Sequence, residues 1–394
     1  MPGIVLYRES ALVMLAALSR LLKGLNGVLR PWAVAAPVVA ITLVVAAAGC
    51  SGGHAAGGAG GAGGTADIDA GAREVAPLPS TFHWTSTGPL VAPVPDATHP
   101  ILSVKDPSVV FFDGRWHIYA TTANTAGQWS LVYLSFTDWS EAAAAQPYYL
   151  DQNPGLRGYH AAPQVFFFRP QGKWYLIFQS GQPQYTTTDD LSHPETWAAP
   201  QNFFPGVPAT VLANQGTGFW LDFWTICDAA RCHLFFTDDN GGFYRSDTDV
   251  QSFPQGFGEP VVVMKASKGD LFEGGATYHV AGRDQYLTMI EAFGPTGNRY
   301  YRSFVADSLE GAWTPLADSW SNPFAGLNNV TFDDGVTWTR DISHGELIRD
   351  GHDETLTIDP GHLGFLYQGV DPTMTAVDYF QLPYRLALLT LVQP

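Results

Sequence analysis

Charge is scarce in this 394-residue chain and unevenly signed. Asp, Glu, Lys and Arg make up only 14% of it, with 20 Lys and Arg against 37 Asp and Glu, for a net charge of −17. The basic residues Arg8, Arg20, Lys23 and Arg30 fall in the first 49 positions against a single Glu9, so the remainder is more acidic still. Such a surface argues against nucleic acid, an anionic membrane or a polyanionic polysaccharide as the main partner and favours a neutral ligand. Cysteine is equally scarce: Cys50, Cys227 and Cys232 are the whole complement. No further Cys or paired His completes a metal site around CDAARC, which leaves a local, structural disulfide between Cys227 and Cys232 across a hairpin as the expectation. Helical periodicity is missing over any long window, and short alternating or apolar runs divided by Gly, Pro, Asn and Asp point to an all-β chain. Against these deficits stand 46% hydrophobic and 13% aromatic residues, enough for one large or two ordinary domains with a full core.

The N-terminus reads as an export signal. Basic residues up to Arg30 precede an apolar Ala/Val run over 32–48 that ends in AAAGC at Cys50. Small residues directly before a Cys resemble a bacterial lipoprotein junction, although the position three before Cys50 is Ala47 rather than a larger aliphatic. Acylation of Cys50 is the expectation and an uncleaved membrane anchor the alternative; both place the domain at the cell surface or outside the cell. Met14 is a second candidate start. Residues 51–77 include a Gly/Ala tract that reads as a flexible tether, and 78–394 as the folded domain.

Inside that domain one stretch sets the pattern. SVKDPSVVFFDGRW (103–116) places Asp106 at the mouth of an apolar strand, followed by an Asp-Gly turn and an aromatic return strand. The same order returns in APQVFFFRPQGKWYLIFQ (162–179). Aligning the turn-plus-aromatic pattern gives Trp116, Trp174, His233 and Tyr286, at offsets of 58, 59 and 53, and both Trp116 to Trp139 and Trp174 to Trp197 span 23 residues. A period of this length holding about four strands predicts β-propeller blades rather than the alternative two-sheet sandwich. Four units are explicit. A fifth is implied by ELIRDGHDETLTIDP, GFLYQG and YRLALLTL, completed by strand material from the domain's N-terminal edge.

In a propeller the inner strand of each blade opens onto one central funnel. Asp106, Asp222 in FWLDFWTICD and Glu273 in LFEGGATY are the acidic residues at such places. Three carboxylates facing one cavity repel one another, which lets one stay protonated as an acid while another serves as a base.

The segments PSTFHWTSTGPL, SVKDPSVV, AAPQVFFFRPQGKWYLIFQ, WLDFWTICD with CHLFFTDDNGGFYRS, RYYRSFVADSLEGAWTPLADSWSNPFAG, NVTFDDGVTWTRDISHGELIRDG and LTIDPGHLGFLYQG resemble glycoside hydrolase family 62, the α-L-arabinofuranosidases, from about residue 78 to the C-terminus. The resemblance implies a five-bladed β-propeller and inverting, exo-acting hydrolysis of arabinofuranosyl side chains on arabinoxylan. It implies Asp106 as general base, Glu273 as general acid and Asp222 as the carboxylate that tunes the acid. It further implies sugar contacts at Lys105 and Tyr367, Arg299 close to the catalytic carboxylates, and His344 at a central calcium ion. Two departures stand out: Gly274 and Gly275 follow the acid where bulkier or polar residues are usual, and a cysteine common before the LxFLYQG strand is missing at Gly361 and His362. The first bears on the wall of the sugar site. A related propeller β-xylosidase or arabinanase, or a non-catalytic carbohydrate-binding propeller, remains the alternative. A funnel complete within one chain predicts a monomer that touches membrane only through its lipid anchor.

Overall fold

A computed structural model describes residues 76–374 and 377–393. Cys50, the anchor run and the tether as far as residue 75 lie outside the described residues.

Within them, besides a two-stranded ribbon of Asp318–Ser319 and Asn322–Pro323, five larger sheets follow one another along the chain, each built mainly from antiparallel neighbours running from an inner to an outer strand. The first blade comprises Ile101–Phe112, Arg115–Asn124, Trp129–Phe136 and Tyr148–Tyr149. The second comprises Ala161–Phe168, Lys173–Gln179, Pro183–Thr188 and Gln201–Asn202. The third comprises Leu221–Cys227, Arg231–Thr237, Gly242–Asp249 and Val261–Lys265. The fourth runs Ala276–Val280, Tyr286–Phe293, Arg299–Ala306, Thr314–Pro315. Trp116, Trp174, His233 and Tyr286 all lie on second strands, so the sequence repeat is the blade repeat. The repeated tryptophans are packing partners or share a core: Trp116 meets Trp139 at 5.0 Å between ring centroids, and Trp174 and Trp197 belong to one buried cluster.

The fifth blade is assembled from both ends of the domain. Ser343–Leu347, Gly364–Gly369 and Arg385–Leu391 are joined by Trp84–Ser86, which pairs antiparallel with the C-terminal strand through Trp84↔Leu391 and Ser86↔Leu389. Val330–Phe332 then adds in parallel outside it. One expected member sits elsewhere. Thr357–Ile358 lies parallel to the fourth blade's inner strand, where Leu356 and Ile358 carbonyls take the amides of His279 and Ala281 that the blade itself leaves unpaired. The single α-helix among the described residues is short, Ala209–Asn214.

Neighbouring blades are sealed by aromatic side chains such as Phe166, Phe168, Tyr175 and Phe253, all buried. At the axis the seal is polar. Arg349 pairs with Glu346 at 2.7 Å and donates to the carbonyls of Val109 and Val165 at 2.8 Å each, while Glu346 accepts from Ser108 Oγ and the Val109 amide. One ion pair thereby fastens the first, second and fifth blades.

Candidate active site

Every inner strand carries the same irregularity near its start. Lys105 pairs with Thr121 and Ser108 with Tyr119, so the inner strand takes three steps where its neighbour takes two. The count repeats at Ala161↔Gln179 and Gln164↔Ile177, at Leu221↔Thr237 and Trp224↔Phe235, and at Ser343↔Gln368 and Glu346↔Leu366. In the fourth blade, the Glu291 amide donates to the Glu273 carbonyl at 3.0 Å ahead of Ala276↔Met289. A bulge of this kind turns one side chain out of the pleat. The residues so placed are Asp106, Ala162, Asp222, Gly274 and His344. The first four have positive φ, at 48°, 48°, 57° and 64°. For a residue with a Cβ this conformation costs about 1–2 kcal/mol, which the surrounding sheet must hold.

The bulge also frees one amide per blade, and the preceding blade accepts it. Thr121 Oγ1 takes the Ala162 N–H at 2.8 Å, Gln179 Oε1 that of Asp222 at 3.1 Å, and Gln368 Oε1 that of Asp106 at 2.7 Å. Glu291 Oε1 takes that of His344. In the remaining case Thr237 makes no such bond, and the carboxylate of Asp222 accepts the Gly274 N–H at 2.8 Å. The ring of acceptors sets the height and direction of each funnel residue.

Asp106 is 5% exposed. Its carboxylate lies 3.5 Å from Lys105 Nζ and 3.3 Å from His344 Nδ1, and His344 also stands 3.9 Å from Asp222. Burial pushes Asp106 up, but Lys105 and His344, helped by the Thr121 hydroxyl, overcome it and hold the carboxyl below the usual range. Asp222 goes the other way: burial, then the charges of Glu273 and Asp106, push it well above an ordinary Asp. Glu273 accepts from Arg299 Nη1 at 2.6 Å, and the same nitrogen reaches Glu291 at 3.0 Å. Burial pushes Glu291 up to about 7 against the pull of Arg299, with Glu273 adding to the rise. Asp239, paired with Lys268 at 2.7 Å, is likewise pushed up to about 7 by burial and by Glu273. Of these carboxyls Asp106 is held down by its cations, whereas burial and neighbouring carboxylates raise Asp222, Glu291 and Asp239.

Comparison with known proteins bears on this arrangement. The family model described as "Glycosyl hydrolase family 62" matches residues 83–390. The chain belongs to glycosyl hydrolase family 62. It is 44% identical over 319 residues to "Alpha-L-arabinofuranosidase C" of Cellvibrio japonicus, a match covering 80% of this chain; the chain spans about half the length of that relative, 48%. Among solved structures, the catalytic domain of a Coprinopsis cinerea GH62 α-L-arabinofuranosidase is 52% identical with a TM-score of 0.78, covering 80% of this chain and 98% of the other. The Podospora anserina α-L-arabinofuranosidase PaAbf62A, solved with cellotriose, is 47% identical with the same TM-score, covering 80% and 99%. An α-L-arabinofuranosidase from Lactobacillus brevis, 14% identical with a TM-score of 0.52, shares the fold alone.

Of the residues expected at the family's site, the structure brings Asp106, Asp222, Glu273, Lys105, Arg299 and His344 together at the funnel. Asp106 and Asp222 hold the bulge position, whereas Glu273 stands one residue earlier, where the first blade has Lys105. Lys105 is buried, 4% exposed. Its ammonium donates to Tyr379 Oη at 3.0 Å and lies 4.1 Å from the Trp129 ring centroid, a cation held by aromatics as well as by Asp106. Tyr367 requires correction. On the second strand of its blade, Tyr367 and Gln368 point to opposite faces, and it is Gln368 that reaches the funnel. Tyr367 is fully buried with its hydroxyl on Ser86 Oγ at 2.8 Å and its ring against Trp338, leaving no surface for a sugar.

The Gly-Gly departure has a backbone cause. Gly274 is the bulge residue of its blade, and a Cβ there would stand 2.9 Å from Tyr301 Oη; one on Gly275 would stand 2.9 Å from the Phe243 ring. Cys227 and Cys232 are disulfide-bonded as a facing pair on adjoining strands, at the far end of the strand that begins beside Asp222.

A calcium ion takes six to eight oxygen ligands. His344 offers nitrogen, already turned to Asp106 and Asp222, and among the described residues these groups do not converge as a ligand cluster. His344, Asp106 and Asp222 by themselves supply fewer oxygen donors than such an ion takes.

Tyr379, Trp129, Gln368 and Glu291 were missed in the sequence. Tyr379 sits in a loop, in VDYFQLPY, with no periodic pattern to place it. Glu291 had a signal: Thr121, Gln179 and Glu291 each fall five residues after the aligned Trp116, Trp174 and Tyr286. A polar residue recurring at a fixed offset inside apolar strands is a position with a job.

Proposed function

We propose that the protein is an inverting α-L-arabinofuranosidase that removes single arabinofuranosyl side chains from arabinoxylan. The observation that carries the reading is the contrast within one funnel between Asp106, held ionised by Lys105 and His344, and the acid-side group of Glu273, Asp222 and Arg299. In this reading Asp106 takes a proton from water as the water oxygen bonds to the anomeric carbon. Glu273 gives a proton to the departing xylose oxygen as the glycosidic bond breaks. One displacement inverts the anomeric centre, with the water filling the gap of roughly 6.5–9.5 Å between carboxyls that inverting enzymes use. Asp222, reluctant to carry charge and anchored on the Gly274 amide beside Glu273, tunes the acid. Lys105 and Tyr379 line the base side as sugar-contacting groups. The acidic surface is compatible with a neutral arabinoxylan and with export.

Incubation with wheat arabinoxylan tests this directly. The reading expects free arabinose and an intact xylan backbone. Release of xylose or xylo-oligosaccharides, or of nothing, contradicts it.

A further inference from the structure

Glu291 does more than its counterparts. Thr121, Gln179 and Gln368, all on second strands, accept a bulge amide with neutral groups; the fourth blade's second strand uses a carboxylate instead, fully buried, while the third blade's acceptor, Asp222, comes from the inner strand. Its two oxygens face different ways. Oε2 accepts from Arg299 Nη1 at 3.0 Å, the nitrogen that also holds Glu273 at 2.6 Å. Oε1 accepts from Ser343 Oγ at 2.6 Å and from the His344 amide. Ser343 Oγ in turn accepts from Gln368 Nε2 at 3.1 Å, and Gln368 Oε1 accepts from the Asp106 amide at 2.7 Å. An unbroken chain therefore runs from Glu273 through Arg299, Glu291, Ser343 and Gln368 to Asp106.

Arg299 packs among aromatic rings, its guanidinium carbon 4.9 Å from the Phe272 ring centroid, 5.7 Å from that of Tyr379 and 5.9 Å from that of Phe293. Those rings hold its plane; they do not decide how far it leans toward Glu273. The second carboxylate does. With Glu291 in place the guanidinium is shared between two anions, and Glu273 is not its sole partner.

We propose that Glu291 is a positioning residue for the hydrolysis: one oxygen fixes Arg299 against Glu273, the other fixes His344 beside Asp106 and Asp222, so that the acid and base sides keep one geometry. This rests on the roles assigned above to Glu273 and Asp106.

Glu291→Gln separates the two duties. Gln179 and Gln368 show that a glutamine oxygen can accept a bulge amide, so Oε1 of the new side chain can keep Ser343 and His344. Its Nε2 then faces Arg299, donor against donor, and releases the guanidinium. The expected result is a kcat on arabinoxylan down by about 10–100-fold, since small displacements of a catalytic group cost rates of that order, with KM within about threefold of the parent. An activated aryl arabinofuranoside, needing little protonation, should lose less than about threefold. Parent kcat on both substrates, or a rise in KM alone, overturns the proposal. A double-mutant cycle guards against simple misfolding: if Glu291 acts through Arg299, Arg299→Met with Glu291→Gln should be no slower than Arg299→Met alone. Multiplying losses contradict the proposal. If Glu273→Gln leaves arabinoxylan hydrolysis intact, the role of Glu273 fails. If Glu273→Gln is crippled and Glu291→Gln is not, the failure is that of Glu291.

Discussion

Asp106, buried, and Glu273, partly exposed, both stand at inner-strand mouths, yet removing the charge of each should have a different consequence. Glu273→Gln keeps the shape and loses the transferable proton. Activity on arabinoxylan, whose leaving oxygen needs protonation, should fall by about 10²–10⁴-fold, and an activated aryl arabinofuranoside should suffer much less. Asp106→Asn should cripple both substrates alike, because water must be activated whatever leaves. Steady-state rates on the two substrates check this, and equal losses in the Glu273 variant would count against the assignment. At this scale the sequence revealed the carboxylates through their place in the repeat, together with Lys105 and Arg299 through family resemblance. It misplaced Tyr367, because strand alternation sends Tyr367 and Gln368 to opposite faces, and which face meets the funnel is set by tertiary packing rather than by the local sequence. Tyr379 was illegible, since a loop residue that meets Lys105 only in three dimensions leaves no local pattern.

At the scale of the element, the bulge is what converts five similar strands into a site. It is a backbone feature, and its clearest trace in the sequence is Gly274. Substituting Gly274→Ala combines the cost of a positive φ with a Cβ 2.9 Å from Tyr301 Oη. About 2–4 kcal/mol of stability should be lost. Gly114, with φ of 73° but nothing within 4 Å of the same atom, is the matched control and should lose about 1 kcal/mol as alanine. Thermal unfolding of the two variants distinguishes crowding from conformation; equal losses would mean that the packing around the bulge is slack. The blades themselves were legible because aromatic second strands recur at nearly constant spacing. The parallel placement of Thr357–Ile358 was not, because two residues carry no period and their partner is fixed by the unpaired amides of another blade.

For the whole molecule, closure is the decisive event, and the structure secures it twice. Trp84–Ser86 completes the blade made by the C-terminal strand, and the Glu346–Arg349 pair ties three blades at the axis. Arg349→Met would leave Glu346 buried and ionisable without its cation. A loss of about 3–5 kcal/mol follows for a buried pair broken on one side. Denaturant titration should show it as a shifted midpoint with an unchanged slope. A parent-like midpoint would place the closing energy in the aromatic seams instead. The circular architecture was readable from the repeat count and the need for an N-terminal strand, whereas the axial ion pair was hidden because ELIRDG reads as one more strand ending in a turn.

The first product of the reaction reports most directly on the parts played by Asp106 and Glu273. Proton NMR during the opening minutes of hydrolysis of an arabinofuranoside distinguishes the anomers before they equilibrate. Attack by water activated at Asp106, with Glu273 protonating the opposite side, predicts β-arabinofuranose first. The α-anomer first would contradict it, since retention needs a covalent intermediate on a carboxylate and a different part for Asp106.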